Sequence, residues 1–202
     1  MQFYHEIITE KSFQFLQELK REYEFVLIGG WAVFLYSHSL KSKDIDIIVD
    51  YSELAKLKKN FDVFKNDRLK KYELKKGGFD VDIYLPHYSD LGIDVEVIRK
   101  NIANKDGFDV PKKEILFLLK LYAWQARKSS LKGRKDELDI FSLAFLPDFG
   151  WEKYMKFAES LEFSEYNNCF RDLLKKTRRI EELEINEQKM ARERKKILKY
   201  IE

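Results

Sequence analysis

The stretch Val26 to Asp50, VLIGGWAVFLYSHSLKSKDIDIIVD, constrains this chain more than any other. Phe25 to Ile28 is a short apolar run halted by Gly29-Gly30, which predicts a buried strand entering a turn. Trp31 to Ser37 is apolar almost all round, so a buried helix is expected to start directly after the glycines. Ile45 to Val49 reads as the next buried strand. Two glycines let a backbone approach a ligand closely. A helix N-terminus behind them favours negative charge, which together makes a phosphate cradle. Asp44 and Asp46 are two apart on the second strand and share one face, while Ile45 points to the other. Two carboxylates on one face repel unless a cation sits between them. Their hard oxygens suit Mg²⁺, which keeps waters and substrate phosphates as its remaining ligands.

The rest of the chain divides into two halves. Ser12 to Tyr23 has apolar residues near helical spacing, and Ser52 to Lys59 is a short helix with Ser52 as a candidate N-cap. Arg68 to Lys75 and Phe79 to Leu85 flank Lys76-Gly77-Gly78, a hairpin signal, and Pro86 stops the second strand. Beyond Pro111, which suits a helix start, the pattern is helical. Ile115 to Ala123 presents a broad apolar face. A polar link, Lys128 to Arg134, precedes helices at Asp136 to Leu146, Trp151 to Leu161 and Glu165 to Lys175. Thr177 to Ile201 has no Gly or Pro and reads as one long helix. The expected architecture is α+β: a small mixed-sheet domain at 1–108, then a helical bundle at 109–202 with a long terminal helix.

Phe79-Asp80-Val81-Asp82-Ile83 offers Asp80 and Asp82 on one face, with Val81 and Ile83 on the other.

The order strand, Gly-Gly, helix, Asp-x-Asp resembles the nucleotidyltransferase superfamily, the DNA polymerase β-like fold. Gly29-Gly30 match its glycine turn and Lys43-Asp44-Ile45-Asp46 its acidic motif. The Gly-Gly form, with an apolar helix and a basic residue before the aspartates, looks most like the AbiEii-type branch, which includes toxins of type IV toxin–antitoxin systems. The resemblance implies a nucleotidyl transfer from an NTP to a hydroxyl, with release of pyrophosphate. It implies Asp44, Asp46 and Asp82 as catalytic metal ligands for two Mg²⁺ ions, with Mn²⁺ a possible substitute. Asp82 is preferred over Asp80 because Val81-Asp82-Ile83 matches the family's hydrophobic-Asp-hydrophobic setting better, leaving Asp80 in a supporting role. Gly29, Gly30 and Lys43 would face the nucleotide. The family also shows a Lys and an Arg on one helix, then Lys-Asp with a second Asp three residues on. Lys120, Arg127, Lys135, Asp136 and Asp139 reproduce that pattern. It implies Lys120 and Lys135 as triphosphate ligands, with Arg127 and Asp136 supporting them.

Charge narrows the acceptor only slightly. Lys plus Arg number 38 and Asp plus Glu 35, a net of +3, which excludes polyanion binding by bulk charge. Arg171 to Glu202 has 11 basic and 7 acidic residues, a local +4, and so mildly favours a macromolecular acceptor. RNA, protein and a small molecule all remain open, as does an antitoxin partner. Ile180, Leu183, Met190, Ile197 and Ile201 form a thin stripe along the tail, interrupted by Glu187 and Arg194. A single cysteine, Cys169, excludes an intramolecular disulfide framework. No apolar run approaches the ~20 residues a bilayer span needs, and the N-terminus lacks a basic start followed by an apolar segment. A cytoplasmic protein without membrane attachment is expected. The alternatives are a non-catalytic nucleotide- or nucleic-acid-binding protein on the same fold, or a glycosyltransferase using Asp-x-Asp.

Overall fold

A computed structural model describes residues 2–201. They form two compact units, one ending at Lys112 and the other starting at Lys113.

The first unit is built on a five-stranded sheet. Helix α1 (Gln2–Glu22) precedes strand β1 (Val26–Ile28), which runs directly into α2 (Gly29–Ser37). Strand β2 (Ile45–Ile48), helix α3 (Tyr51–Asn60), and strands β3 (Val63–Asn66), β4 (Lys71–Lys76) and β5 (Phe79–Tyr84) follow. Their spatial order is β1-β2-β5-β4-β3. Only β2 and β5 are parallel, and every other pair is antiparallel. The alternation seen in sequence sorts this parallel pair into two faces. Ile45, Ile47, Val81 and Ile83 are all at most 1% exposed. Asp46, Asp82 and Tyr84 point the other way and are half-buried.

Local chemistry accounts for most of these elements. Gly77 and Gly78 both take positive φ (35° and 116°) in the β4–β5 turn, as a tight hairpin requires. On α1, Phe15, Leu16 and Leu19 are buried. Ser12 accepts a 3.0 Å bond from the Trp31 indole N–H, tying α1 to α2. Ser52 is not the cap of α3: Asp50 holds that position, with no side-chain cap bond. The Asp50 carboxylate instead takes both guanidinium nitrogens of Arg99, on helix α4 (Val95–Lys100).

A second, two-stranded sheet corrects the expectation for Pro111. Strands β6 (Ile102–Lys105) and β7 (Phe108–Pro111) pair antiparallel, so Pro111 ends a strand rather than starting a helix. Asp106-Gly107, both at positive φ, makes the two-residue turn, and Asp-Gly is a strong hairpin signal. Tyr36 donates to the Pro111 carbonyl at 2.9 Å. The hairpin thus keeps residues 109–111 with the first unit.

The second unit contains helices α5 (Lys113–Arg127), α6 (Leu131–Ala144), α7 (Trp151–Ser160), α8 (Ser164–Lys176) and α9 (Glu187–Ile201). Phe117 sits at the centre of an aromatic core, with the rings of Phe149, Tyr154 and Phe170 all 5.0–5.3 Å away. The polar link is shorter than expected. Ser130 caps α6 by accepting from the Gly133 N–H at 3.1 Å, so helix begins at Leu131. A Cβ at Gly133 would lie 2.2 Å from the Arg127 carbonyl, so glycine permits this close approach.

The tail is not one long helix. Ile180 and Ile185 bridge across a short 3-10 turn, Glu181–Leu183, and Glu184 adopts positive φ (53°). The two isoleucines are 0% and 4% exposed, so burying both outweighs continuing an exposed helix through Glu181, Glu182 and Glu184. Arg194, which interrupts the apolar stripe, donates to the Leu174 and Thr177 carbonyls. It satisfies the open C-terminus of α8. Among the described residues no helix is long and apolar enough to cross a membrane.

Candidate active site on the parallel strand pair

The turn from β1 into α2 sets the geometry. Gly29 has φ +68°, a conformation side chains rarely adopt. A Cβ there would lie 2.0 Å from Asp46 Oδ2. The glycine therefore makes room for the Asp46 carboxylate, which sits against the backbone where α2 begins. Gly30 is buried in the first turn of the same helix.

Strand register then brings the second carboxylate alongside. Asp46 and Asp82 are direct partners across the parallel β2–β5 pair. Register partners point to the same face, so the two acids stand side by side. Tyr84, one step along that face, donates to Asp46 Oδ1 at 3.4 Å. Burial and the Asp46 charge push the Asp82 carboxyl up to about 6. Lys71 on β4 opposes that shift, with its Nζ 2.6 Å from Asp82 Oδ2 and 3.1 Å from Glu73 Oε1. Burial works against the Lys71 charge, yet its two acidic partners hold the ammonium above its ordinary value. No motif in the sequence marks Lys71 or Glu73. Their only signal is alternation along Lys71-Tyr72-Glu73, which has no meaning until β4 is set in register with β5.

Asp44 lies one residue before β2, and its Oδ1 accepts the Asp80 backbone N–H at 3.2 Å. Asp80 is exposed, as is Lys43. The structure therefore pairs Asp46 with Asp82 and links Asp44 to the backbone of β5. Among the described residues no three acidic, His or Cys side chains gather closely enough to hold a metal ion together.

The donor set still suits a hard cation. Two adjacent carboxylates repel one another, and Mg²⁺ commonly takes one or two carboxylates with phosphates completing its shell. Asp46 and Asp82 would supply that pair.

The other predicted residues belong to the second unit and form their own cluster. Lys120, Asp136 and Asp139 are buried, at 7%, 1% and 1% exposure. Lys120 Nζ lies 2.7 Å from Asp139 and 3.5 Å from Asp136. Arg127 grips Asp136 through both oxygens, with Nε at 2.6 Å and Nη2 at 3.0 Å. A lysine inside the apolar run of α5 thus meets two acids three residues apart on α6. Lys135 is half-buried on α6.

Comparison with solved structures identifies the architecture. A Helicobacter pylori protein provisionally named a nucleotidyltransferase aligns with a TM-score of 0.51 at 18% identity, covering 96% of each chain. The fold is nucleotidyltransferase-like. A second Helicobacter pylori structure, JHP933, aligns with a TM-score of 0.47 at 16% identity, over 98% of this chain and 93% of that one. An antigenic nucleotidyltransferase-like protein from Paracoccidioides brasiliensis gives 0.38 at 17%, over 82% and 91%. No protein-family model and no curated protein matches the chain.

Proposed function

We propose that this chain is a metal-dependent nucleotidyltransferase, moving an NMP from an NTP to a hydroxyl acceptor and releasing pyrophosphate. The observation that carries this reading is the Asp46–Asp82 pair, set on parallel strands against the glycine-started N-terminus of α2. Asp46 and Asp82 would hold Mg²⁺, with Asp44 close to the pair in sequence. The metal supplies polarisation of the phosphoryl group and a lowered pKa for the attacking hydroxyl. The chain's own residues position substrate. Gly29 and Gly30 begin a helix whose N-terminal N–H groups favour phosphate. Lys43 is an exposed cation next to Asp44. Tyr84 and Lys71 orient the two carboxylates by hydrogen bonds.

For Lys120 and Lys135 a triphosphate role rests on the motif resemblance. The contacts of Lys120 support a different duty, as counter-ion to Asp136 and Asp139. An acceptor of RNA or protein, and a toxin role alongside an antitoxin, rest likewise on that resemblance.

The test is transfer of label from α-labelled NTPs, with Mg²⁺ or Mn²⁺, to RNA, protein or the chain itself. Transfer is expected in the wild type and lost in Asp46→Ala and Asp82→Ala, with Asp80→Ala largely active. Absence of transfer to every acceptor, together with NTP-dependent thermal stabilisation, would establish a non-catalytic nucleotide-binding protein instead.

A further inference from the structure

We infer that Lys71 is a positioning residue that stands in for the divalent cation, competing with it for Asp82 and setting the metal affinity of the site. The inference rests on the reading of Asp46 and Asp82 as metal ligands. Three acids lie on this part of the sheet face, because Glu73 is the register partner of Asp82 as Asp82 is of Asp46. Lys71 bonds two of them, Asp82 and Glu73. Its ammonium lies 2.6 Å from Asp82 Oδ2, and the side chain is only 11% exposed. A lysine so enclosed is there to neutralise buried carboxylate, since unpaired charge is costly to bury.

Lys75 adds its charge at Glu73, so the acidic surplus falls on Asp46 and Asp82. A divalent ion placed there would meet Asp82 at an oxygen whose lone pairs Lys71 already draws on. Glu73 gives the ammonium a second anchor, 3.1 Å away. Asn66 holds that anchor in place by donating to Glu73 Oε1 at 3.0 Å. Lys71 can therefore shift its weight from Asp82 to Glu73 without leaving the protein. The arrangement keeps the carboxylate pair tolerable before metal arrives and yields Asp82 when it does.

The two anchors predict changes of opposite sign. In Lys71→Met the competitor is gone, and Mg²⁺ affinity measured calorimetrically should tighten about tenfold, the scale on which neighbours of metal ligands act. In Glu73→Gln the ammonium is thrown onto Asp82, and Mg²⁺ affinity should weaken by a similar factor. Lys71→Arg should restore affinity close to wild type. Without metal, Lys71→Met should melt below wild type, and saturating Mg²⁺ should stabilise it more than it stabilises the wild type. Mn²⁺ binding, followed by water-proton relaxation, gives the same comparison should Lys71→Met prove too unstable for calorimetry, with Lys71→Gln as the second variant. Unchanged or weaker Mg²⁺ affinity on removing Lys71, in a folded protein, would overturn the inference while leaving the metal site intact. Failure of the wild type and all variants to bind either metal would overturn the metal-dependent reading along with it.

Discussion

The two units each hold a cluster of aspartates and lysine, and the clusters differ in how their charges balance. In the helical unit Asp136 and Asp139 meet Lys120 and Arg127, two against two, and both acids are 1% exposed. In the sheet unit the Lys71 ammonium bonds Asp82 and Glu73, with Asp46 beside Asp82 in register, and Asp82 keeps 18% of its side chain exposed. In the helical cluster opposite charges meet at bonding distance and join α5 to α6. The unbalanced cluster is held open, with an acid pushed up to about 6 and a cation whose bonds are split between partners. Similar side chains therefore make a joint between two helices in one place and the proposed metal site in the other. Local charge count separates the two cases.

The largest expected effect comes from breaking the balanced cluster. Asp136→Ala strands Lys120 and Arg127, and the loss of a buried partner costs about 3–5 kcal/mol, to be read from denaturant midpoints of the second unit. A loss below ~1 kcal/mol would mean that Lys120 finds solvent readily and that the cluster is not structural.

Gly29→Ala tests the other side. A Cβ there meets Asp46 Oδ2 at 2.0 Å and must sit at φ +68°. Positive φ alone costs about 1–3 kcal/mol for a non-glycine residue, so ~2–4 kcal/mol is expected with the clash, together with loss of Mg²⁺ binding. Retained binding would show that Asp46 has another route to the site.

Asp82→Asn gives a pH-dependent signature of the unbalanced cluster. The folded protein holds the Asp82 proton more tightly than the unfolded chain, at about 6 against 3.8. Its stabilising contribution is thus full below the unfolded value and lost as pH rises through the folded one. Between pH 4 and 6 the wild type should lose ~2 kcal/mol relative to Asp82→Asn, measured as the difference of their stability curves. A flat difference would place the repulsion with Asp46 elsewhere.

The smallest effect lies outside both clusters. Arg194→Met removes the donor to the Leu174 and Thr177 carbonyls at the end of α8. It should cost about 1 kcal/mol and leave Mg²⁺ binding untouched.

Much of the candidate site was legible in the sequence. Gly29, Gly30, Asp44 and Asp46 lie within one strand–turn–helix–strand unit, whose local signals agree with one another. The hairpin at Gly77-Gly78 followed from its glycine pair, whereas the choice of Asp82 over Asp80, which share a face, came from the family resemblance. Other short-range signals were outweighed. Pro111 suits a helix start, but Asp106-Gly107 a few residues earlier commits it to a hairpin. The tail lacks Gly and Pro, yet pairing Ile180 with Ile185 breaks the helix there. Lys120 lies inside the apolar run of α5, and periodicity there could not say that it meets acids on α6.

By itself the sequence determined the α+β layout, the glycine turn, and the placing of Asp46 and Asp82 on the polar side of their strands. Each depends on neighbours a few residues away and on backbone geometry that repeats. Only the tertiary structure decided that Asp46 and Asp82 stand side by side, that Lys71 and Glu73 join them, and that Lys120 is taken up by Asp136 and Asp139. Those outcomes depend on strand register and helix packing between distant segments. A shift of one residue in register reverses the face a side chain presents, and no local pattern carries that information.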